Sequence, residues 1–227
     1  MIPLLRERKK IGVTTDRQII FIVDDDARVR DSLEELLASH GYETRAFGSA
    51  RDYIEAERSG FPACLILDVE LPDINGLDLQ GQMVEGLHPP IVFITGHGDI
   101  PSTVRAIKRG AVDFLAKPFG DDALMAAVHA ALAEDRKRRS EKAELADLKQ
   151  HYLGLTQRER DVLPLVVSGL LNKQAAAELG ISEVTLQIHR RHVMQKMGAA
   201  SLADLVRMAE KLGVSITHSR RSGGLPT

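Results

Sequence analysis

Five side chains in the first half of this chain have the types needed to handle a phosphoryl group. Asp24 and Asp25 follow one apolar run, Asp68 ends a second, Thr95 ends a third, and Lys117 follows a fourth. Clustered carboxylates repel one another unless a proton or a cation relieves them, and hard oxygen donors suit Mg2+. A hydroxyl and an ammonium beside such an ion form a cradle in which phosphoryl charge is neutralised from two sides. One carboxylate could also be the acceptor, because aspartyl phosphates are an established covalent chemistry. Each residue alone has an ordinary reading. Asp26 in particular reads as a helix cap, Thr95 as a strand residue and Lys117 as a surface lysine. All five at strand ends is what favours a site. His97, Cys64 and Met83 read as structural: a loop histidine, a core thiol and a helix-packing residue.

The elements that must position these residues alternate. Ile19 to Val23 is a continuous β-branched and aromatic run, the pattern of a strand buried on both faces. Short apolar segments follow at Glu43 to Phe47, Cys64 to Leu67, Ile91 to Thr95 and Asp113 to Ala116. Helical patterns between and after them begin near Asp26, Ser49, Ile74, Pro101 and Asp121, and Ser49 with Asp52 has capping-box spacing. Repeated strand-helix alternation predicts an α/β domain with an open parallel sheet and helices on both faces. Ligands of such sheets bind at the carboxyl ends of the strands, where the five residues fall.

From Asp121 the helical pattern carries Leu124, Val128 and Leu132 on one face and then becomes polar all round near Arg136. Leu145, Leu148, Tyr152 and Leu155 follow at 3-4-3 spacing. They fit either a brief coiled contact in a dimer or a solvated helix docked on the next domain. Beyond them the pattern is all helix. Thr156 and Glu159 have capping-box spacing, with a stop near Gly169. A short helix from Asn172 ends at Gly180, Ser182 caps a longer one closed by Gly198, and Ser201 starts another. Two helices joined by a tight Gly-Ile-Ser turn predict a helix-turn-helix. In the longer helix Leu186, Val193, Met194 and Met197 share one face, while Val184, Gln187, Ile188, Arg191 and Gln195 fall opposite. A merely solvated face should not carry Val and Ile with so little charge. A face entering the major groove could: apolar groups meet thymine methyls, Gln reads adenine and Arg reads guanine. The alternative is a packing face against another domain or subunit. Arg190 falls near the buried stripe, and periodicity does not explain it.

Composition sets the bounds. The chain has 227 residues, enough for two modest domains, and a net charge of −2 that averages unlike parts. Residues 18–135 carry 9 Lys/Arg against 21 Asp/Glu, whereas 136–150 carry 6 against 3 and 151–212 carry 8 against 6. An acidic first half and a basic second half predict different partners, the second being the candidate for nucleic acid. No apolar run reaches the roughly 20 residues of a membrane span. The first 17 residues turn from apolar to basic, the wrong order for a secretory signal. A lone cysteine excludes a disulfide framework and suits a reducing cytoplasm, and 4% aromatics argue against stacking on single strands.

Val23-Asp-Asp-Asp26, Leu67-Asp-Val-Glu-Leu-Pro-Asp-Ile-Asn-Gly76, Ile94-Thr-Gly-His97 and Ala116-Lys-Pro-Phe119 together resemble the receiver domain of two-component response regulators. The resemblance implies strand order 2-1-3-4-5 and phosphorylation of Asp68 by a sensor histidine kinase. It further implies Mg2+ held by Asp25, Asp68 and the Glu70 backbone, with Asp24 acting through water. Thr95 and Lys117 would bind phosphoryl oxygens, and Phe114 would be the aromatic whose burial accompanies activation. A cis peptide before Pro118 is implied too. Glu70 is acidic where relatives often carry a basic residue, so an altered phosphoryl lifetime is expected.

Leu155-Thr-Gln-Arg-Glu-Arg160, Asn172-Lys173, Leu179-Gly-Ile-Ser182, Thr185, His189 and Lys196 resemble the LuxR-type DNA-binding domain. The whole is similar to the FixJ/NarL class, nearer FixJ. Carried over by position, Gln187, Ile188 and Arg191 would approach bases, while Lys173 and Thr185 would hold phosphates; Val184 joins the DNA-binding set from its place on the same exposed face. Many relatives have lysine where Gln187 stands, so a different operator preference is expected. The expected organisation is a tail over 1–17, a receiver over 18–134, a helical linker over 135–151, a DNA-binding domain over 152–212 and a tail over 213–227. Both tails are expected to be disordered.

The expected protein is a cytoplasmic transcription regulator and not an enzyme, beyond self-phosphorylation from small donors and autodephosphorylation. Its partners would be the kinase, promoter DNA, RNA polymerase and a second copy paired through Val104, Arg105 and Ile107. Two alternatives stay open: a Mg2+-dependent phosphatase with Glu70 as acid/base, and a receiver adaptor that never binds DNA.

Overall fold

The computed structural model describes residues 17–56, 59–83, 88–96 and 100–214. Most of both expected tails, and His97, lie outside the described residues. Within the described part Arg17 pairs with Glu43 through its Nε at 2.8 Å, and Val214 packs on the core of the second unit.

Strands β1 (Ile19–Val23), β2 (Glu43–Phe47), β3 (Ala63–Asp68), β4 (Ile91–Thr95) and β5 (Asp113–Ala116) form one sheet, ordered β2-β1-β3-β4-β5. All neighbours are parallel, with Val23 opposite Leu67, Asp68 opposite Ile94 and Thr95 opposite Ala116. That register levels the carboxyl ends of β1, β3, β4 and β5 along one edge. β3 is one residue longer at each end than its apolar run. Asp68 stays in register with Ile94, and the Ala63 N–H donates to the buried Asp135 carboxylate at 2.9 Å.

Alternation along the central strands separates two cores. Ile19, Phe21, Val23, Leu65, Leu67, Ile91 and Phe93 face α2 (Ala50–Glu55), α3 (Gly76–Gln82) and α4 (Ile100–Lys108). Ile20, Ile22, Cys64, Ile66, Val92 and Ile94 face α1 (Ala27–Ser39) and α5 (Asp121–Leu153). Leu124, Val128 and Leu132 of α5 are buried there, as their spacing predicts. Each buried aliphatic side chain contributes about 2 kcal/mol of apolar burial. Asp26 and Ser49 cap α1 and α2 through the amides of Arg28 and Asp52. α3 begins two residues later than its pattern suggests. The Asn75 carboxamide accepts from the Leu77 N–H, so capping chemistry rather than the apolar Ile74 sets the start.

The chain divides into two compact units within α5, one ending at Arg139 and the other beginning at Ser140. In the second unit, α6 (Gln157–Val167), α7 (Asn172–Leu179), α8 (Glu183–Met197) and α9 (Leu202–Lys211) surround a core of Val162, Leu163, Val166, Ala175, Leu186, Val193, Met197 and Leu205. Leu148 and Leu155 are buried in this core and Tyr152 packs on it, so three of the four residues at 3-4-3 spacing serve the second unit's own interior, while Leu145 is only partly buried. Gly180 and Gly198 end α7 and α8 in the left-handed conformation, with φ of 65° and 70°.

Candidate functional site

Asp24 is fully buried where β1 ends. Its Oδ1 accepts from the Asp26 N–H at 2.9 Å and its Oδ2 from the Lys117 ammonium at 2.6 Å. Asp68, 5% exposed at the end of β3, accepts from the Glu70 N–H at 3.1 Å through Oδ1. Its Oδ2 accepts from the same Lys117 Nζ at 2.7 Å. Asp25 is exposed, and one oxygen from each of Asp24, Asp25 and Asp68 lies within 4.8 Å of the others. Thr95 is buried at the end of β4, and its carbonyl accepts from the Lys117 N–H at 2.7 Å. The Asp24, Asp25, Asp68 and Lys117 side chains therefore meet at the sheet edge where Thr95 ends β4. Phe114 on β5 is half-buried, its ring centroid 6.0 Å from that of Phe93. The Lys117–Pro118 peptide is cis, as the resemblance implied.

Burial pushes the Asp24 carboxyl up, and the Asp68 charge adds to this, against the lowering pull of Lys117 and the Asp26 amide. Burial likewise opposes the Lys117 charge, but hydrogen bonds to Asp24 and Asp68 outweigh it and raise the Lys117 pKa. Lys117 keeps its ammonium charge, because two carboxylates at hydrogen-bond distance face one cation. Even so, three carboxylates outnumber that ammonium, and the excess negative charge suits a hard divalent cation.

Three residues that sequence patterns did not single out hold this edge in place. Gly76 lies so close to the phosphoacceptor candidate that a β-carbon there would fall 2.3 Å from the Asp68 carbonyl oxygen. The Asp73 carboxylate accepts from the Ala50 and Arg51 amides at 3.3 and 2.9 Å, tying the β3–α3 loop to the start of α2. Arg30 donates from Nη1 to the carbonyls of Asp24 and Asp25 at 2.7 and 3.0 Å. Asp73 and Gly76 lie within the motif that follows Asp68, whereas Arg30 left no trace in the sequence patterns. Glu70 is exposed beside the acceptor.

On α4 only Ala106 is buried, leaving Ile100, Val104 and Ile107 exposed in a stripe with Arg105 beside it. No helix among the described residues is long and apolar enough to cross a membrane.

The second candidate surface is α8. Ser182 caps it by accepting from the Thr185 N–H at 3.0 Å. Leu186, Val193 and Met197 are buried, whereas Val184 and Ile188 are 67% and 51% exposed, with Gln187, Arg191 and Gln195 exposed beside them. Lys173 is exposed near the start of α7, and Thr185 is half-buried. Arg190 has an explanation in three dimensions: its Nη1 donates to the Asn172 carboxamide at 2.9 Å, linking α8 to the start of α7. The Thr156–Glu159 capping box forms, and the buried Glu159 carboxylate also accepts from Lys196 of α8 at 2.7 Å. Burial opposes the Glu159 charge, but Lys196 and the Thr156 cap hold its pKa down at about 2.

The response regulator receiver domain family matches residues 20–129, and the luxR family of bacterial regulatory proteins matches residues 153–209. Nodulation protein W of Bradyrhizobium diazoefficiens is 52% identical over 207 residues, covering 91% of this chain and 91% of that protein. Transcriptional regulatory protein FixJ of Azorhizobium caulinodans is 42% identical over 197 residues, covering 86% and 93%. The solved structure of response regulator StyR matches with a TM-score of 0.74 at 45% identity, over 86% of this chain and 99% of that one. With the sheet order, the acidic edge and the helix-turn-helix already in view, the chain belongs to the FixJ-like two-component response regulators, which join a receiver to a LuxR-type DNA-binding domain.

Proposed function

We propose that phosphorylation of Asp68 switches this regulator between a form that leaves promoters free and one that places two DNA-binding domains on paired half-sites. The observation that carries the reading is the convergence of Asp24, Asp25 and Asp68 within 4.8 Å, beside an ammonium shared at 2.6 and 2.7 Å. The donor set fits Mg2+, which Asp25, Asp68 and the Glu70 carbonyl would hold, with Asp24 acting through water. When bound, the ion supplies charge neutralisation for the phosphoryl oxygens.

The chain's own residues do the rest. A lone pair of the Asp68 carboxylate forms the new O–P bond as the P–N bond to the sensor kinase's phosphohistidine breaks, its electron pair remaining on the imidazole nitrogen. Lys117 turns its charge from the Asp68 carboxylate to the phosphoryl oxygens, and the Thr95 hydroxyl donates to them. Inward movement of Thr95 and Phe114 remodels the face of α4, β5 and α5, and Val104, Arg105 and Ile107 then pair two receivers. A second route is relief of receiver contacts that mask α8. In either route, Val184, Gln187, Ile188 and Arg191 meet base edges while Lys173 and Thr185 hold phosphates. The helical stretch over 135–151 links receiver and DNA-binding domain. The work is done in the cytoplasm at promoters, with RNA polymerase as the final partner.

Acetyl phosphate with Mg2+ should add one phosphoryl group to wild type and none to Asp68→Asn, read by intact mass. Equal labelling of both would overturn the assignment of Asp68.

A further inference from the structure

Arg30 stands apart from the groups expected to touch ion or phosphoryl, yet it grips the backbone that carries two of them. It projects from α1, and its single Nη1 donates to two successive carbonyls, Asp24 O at 2.7 Å and Asp25 O at 3.0 Å. Two neighbouring carbonyls aimed at one nitrogen fix both peptide planes, and with them the directions in which the Asp24 and Asp25 side chains leave the loop. The guanidinium is itself confined. At Gly48, just past β2, a β-carbon would meet Nη1 at 3.5 Å, Cζ at 3.8 Å and Nη2 at 3.9 Å. A second tether runs from β2, where the Phe47 carbonyl accepts from the Asp24 N–H at 3.2 Å. The loop is therefore clamped between α1 and β2 while its carboxylates face Asp68 and Lys117.

We propose that Arg30 is a positioning residue for the divalent-cation site, acting through the Asp24 and Asp25 backbone. The inference rests on the reading that Asp24, Asp25 and Asp68 hold Mg2+. Two physical effects of Arg30 oppose each other here. Its positive charge near a cation site disfavours the ion, so removing the charge alone tightens Mg2+ binding. Its hydrogen bonds preorganise the ligands, so removing them loosens binding; partners that orient metal ligands are typically worth about 10- to 100-fold in affinity. The half-buried donor and its two hydrogen bonds to successive carbonyls favour the second effect, and the sign of the change decides between them.

The test uses the full chain as wild type, Arg30→Met, Arg30→Lys and Asp25→Ala. Arg30→Met keeps the apolar stem and removes charge and donors together. Mg2+ affinity is measured by calorimetric titration, and initial phosphorylation by acetyl phosphate is followed across Mg2+ concentration. Arg30→Met should weaken Mg2+ binding about tenfold. Its limiting rate at saturating Mg2+ should stay close to wild type, and Arg30→Lys should recover part of the affinity. Unchanged or tighter binding in Arg30→Met, or a lost limiting rate with unchanged affinity, overturns the inference while leaving the Mg2+ reading intact. Wild-type affinity in Asp25→Ala overturns that reading, and the inference with it. Should Arg30→Met lose its native circular dichroism, Arg30→Gln, which keeps a shorter neutral donor, takes its place with the same criteria.

Discussion

Lys117 meets Asp24 and Asp68 at once, and this shared ammonium shows how little freedom single residues have at the acidic edge. Gly76 has even less. A β-carbon at 2.3 Å from the Asp68 carbonyl cannot be absorbed by a side-chain rotation, because the atom it meets is backbone. Gly76→Ala should cost about 1–3 kcal/mol of stability, read by thermal unfolding, and should slow phosphorylation by displacing the strand end that carries Asp68. Glu70 leaves a different prediction. Its amide donates to Asp68 Oδ1, while the residue is exposed beside the acceptor and bears an acidic side chain there. Glu70→Ala should change the dephosphorylation rate of wild-type-like receiver, measured after phosphodonor removal; an identical decay would show that the acidic side chain does not crowd the phosphoryl group.

Helices α6 and α8 are joined by a carboxylate whose charge has a pH signature. Glu159 closes the α6 capping box and accepts from Lys196, and its pKa is held at about 2, below its unfolded value. A depressed carboxylate stabilises the fold fully above the ordinary carboxylate range and loses that contribution as pH falls toward its folded pKa. Glu159→Gln should therefore cost about 2 kcal/mol near neutral pH, and its deficit should close between about pH 5 and 2. Denaturant unfolding of both proteins across that range checks the sign; a constant deficit would assign the loss to packing. The exposed face of α8 makes a separate prediction. Arg191→Ala should weaken promoter binding by about 1–3 kcal/mol with unchanged helicity, and Ile188→Asp should abolish it. Gel-shift titrations with matched circular dichroism would show whether the exposed Val and Ile serve DNA.

At the scale of the molecule, 9 basic against 21 acidic residues over 18–135 precede a basic stretch and a helix-turn-helix. An acidic receiver gains no electrostatic attraction to DNA, so binding to DNA rests on the second half of the chain. Beryllofluoride with Mg2+ should raise the solution mass of wild type to that of a dimer and leave Asp68→Asn unchanged, by light scattering. No shift in either protein would remove pairing through the α4 stripe of Val104 and Ile107 and favour unmasking of α8.

Strand runs such as Ile19–Val23, caps such as Ser182 and Thr156, and the α8 faces were readable along the chain, because burial periodicity and capping act over a few residues. Placing Asp24, Asp68, Thr95 and Lys117 at one edge needed one further rule, that parallel strands share their carboxyl ends. The remainder depended on contacts between residues far apart in the chain. The 3-4-3 spacing fits a dimer coil as well as a docked helix, and only the burial of Leu148 and Leu155 in the second core separates the two. Arg190 made sense only against Asn172, and Asp73 only against the start of α2. Arg30 lies six residues from Asp24, yet its guanidinium also lies beside Gly48, just past the end of β2. Local periodicity reports which side chains are buried, whereas a hydrogen bond to a distant backbone group leaves no periodic trace and exists only once the elements have packed.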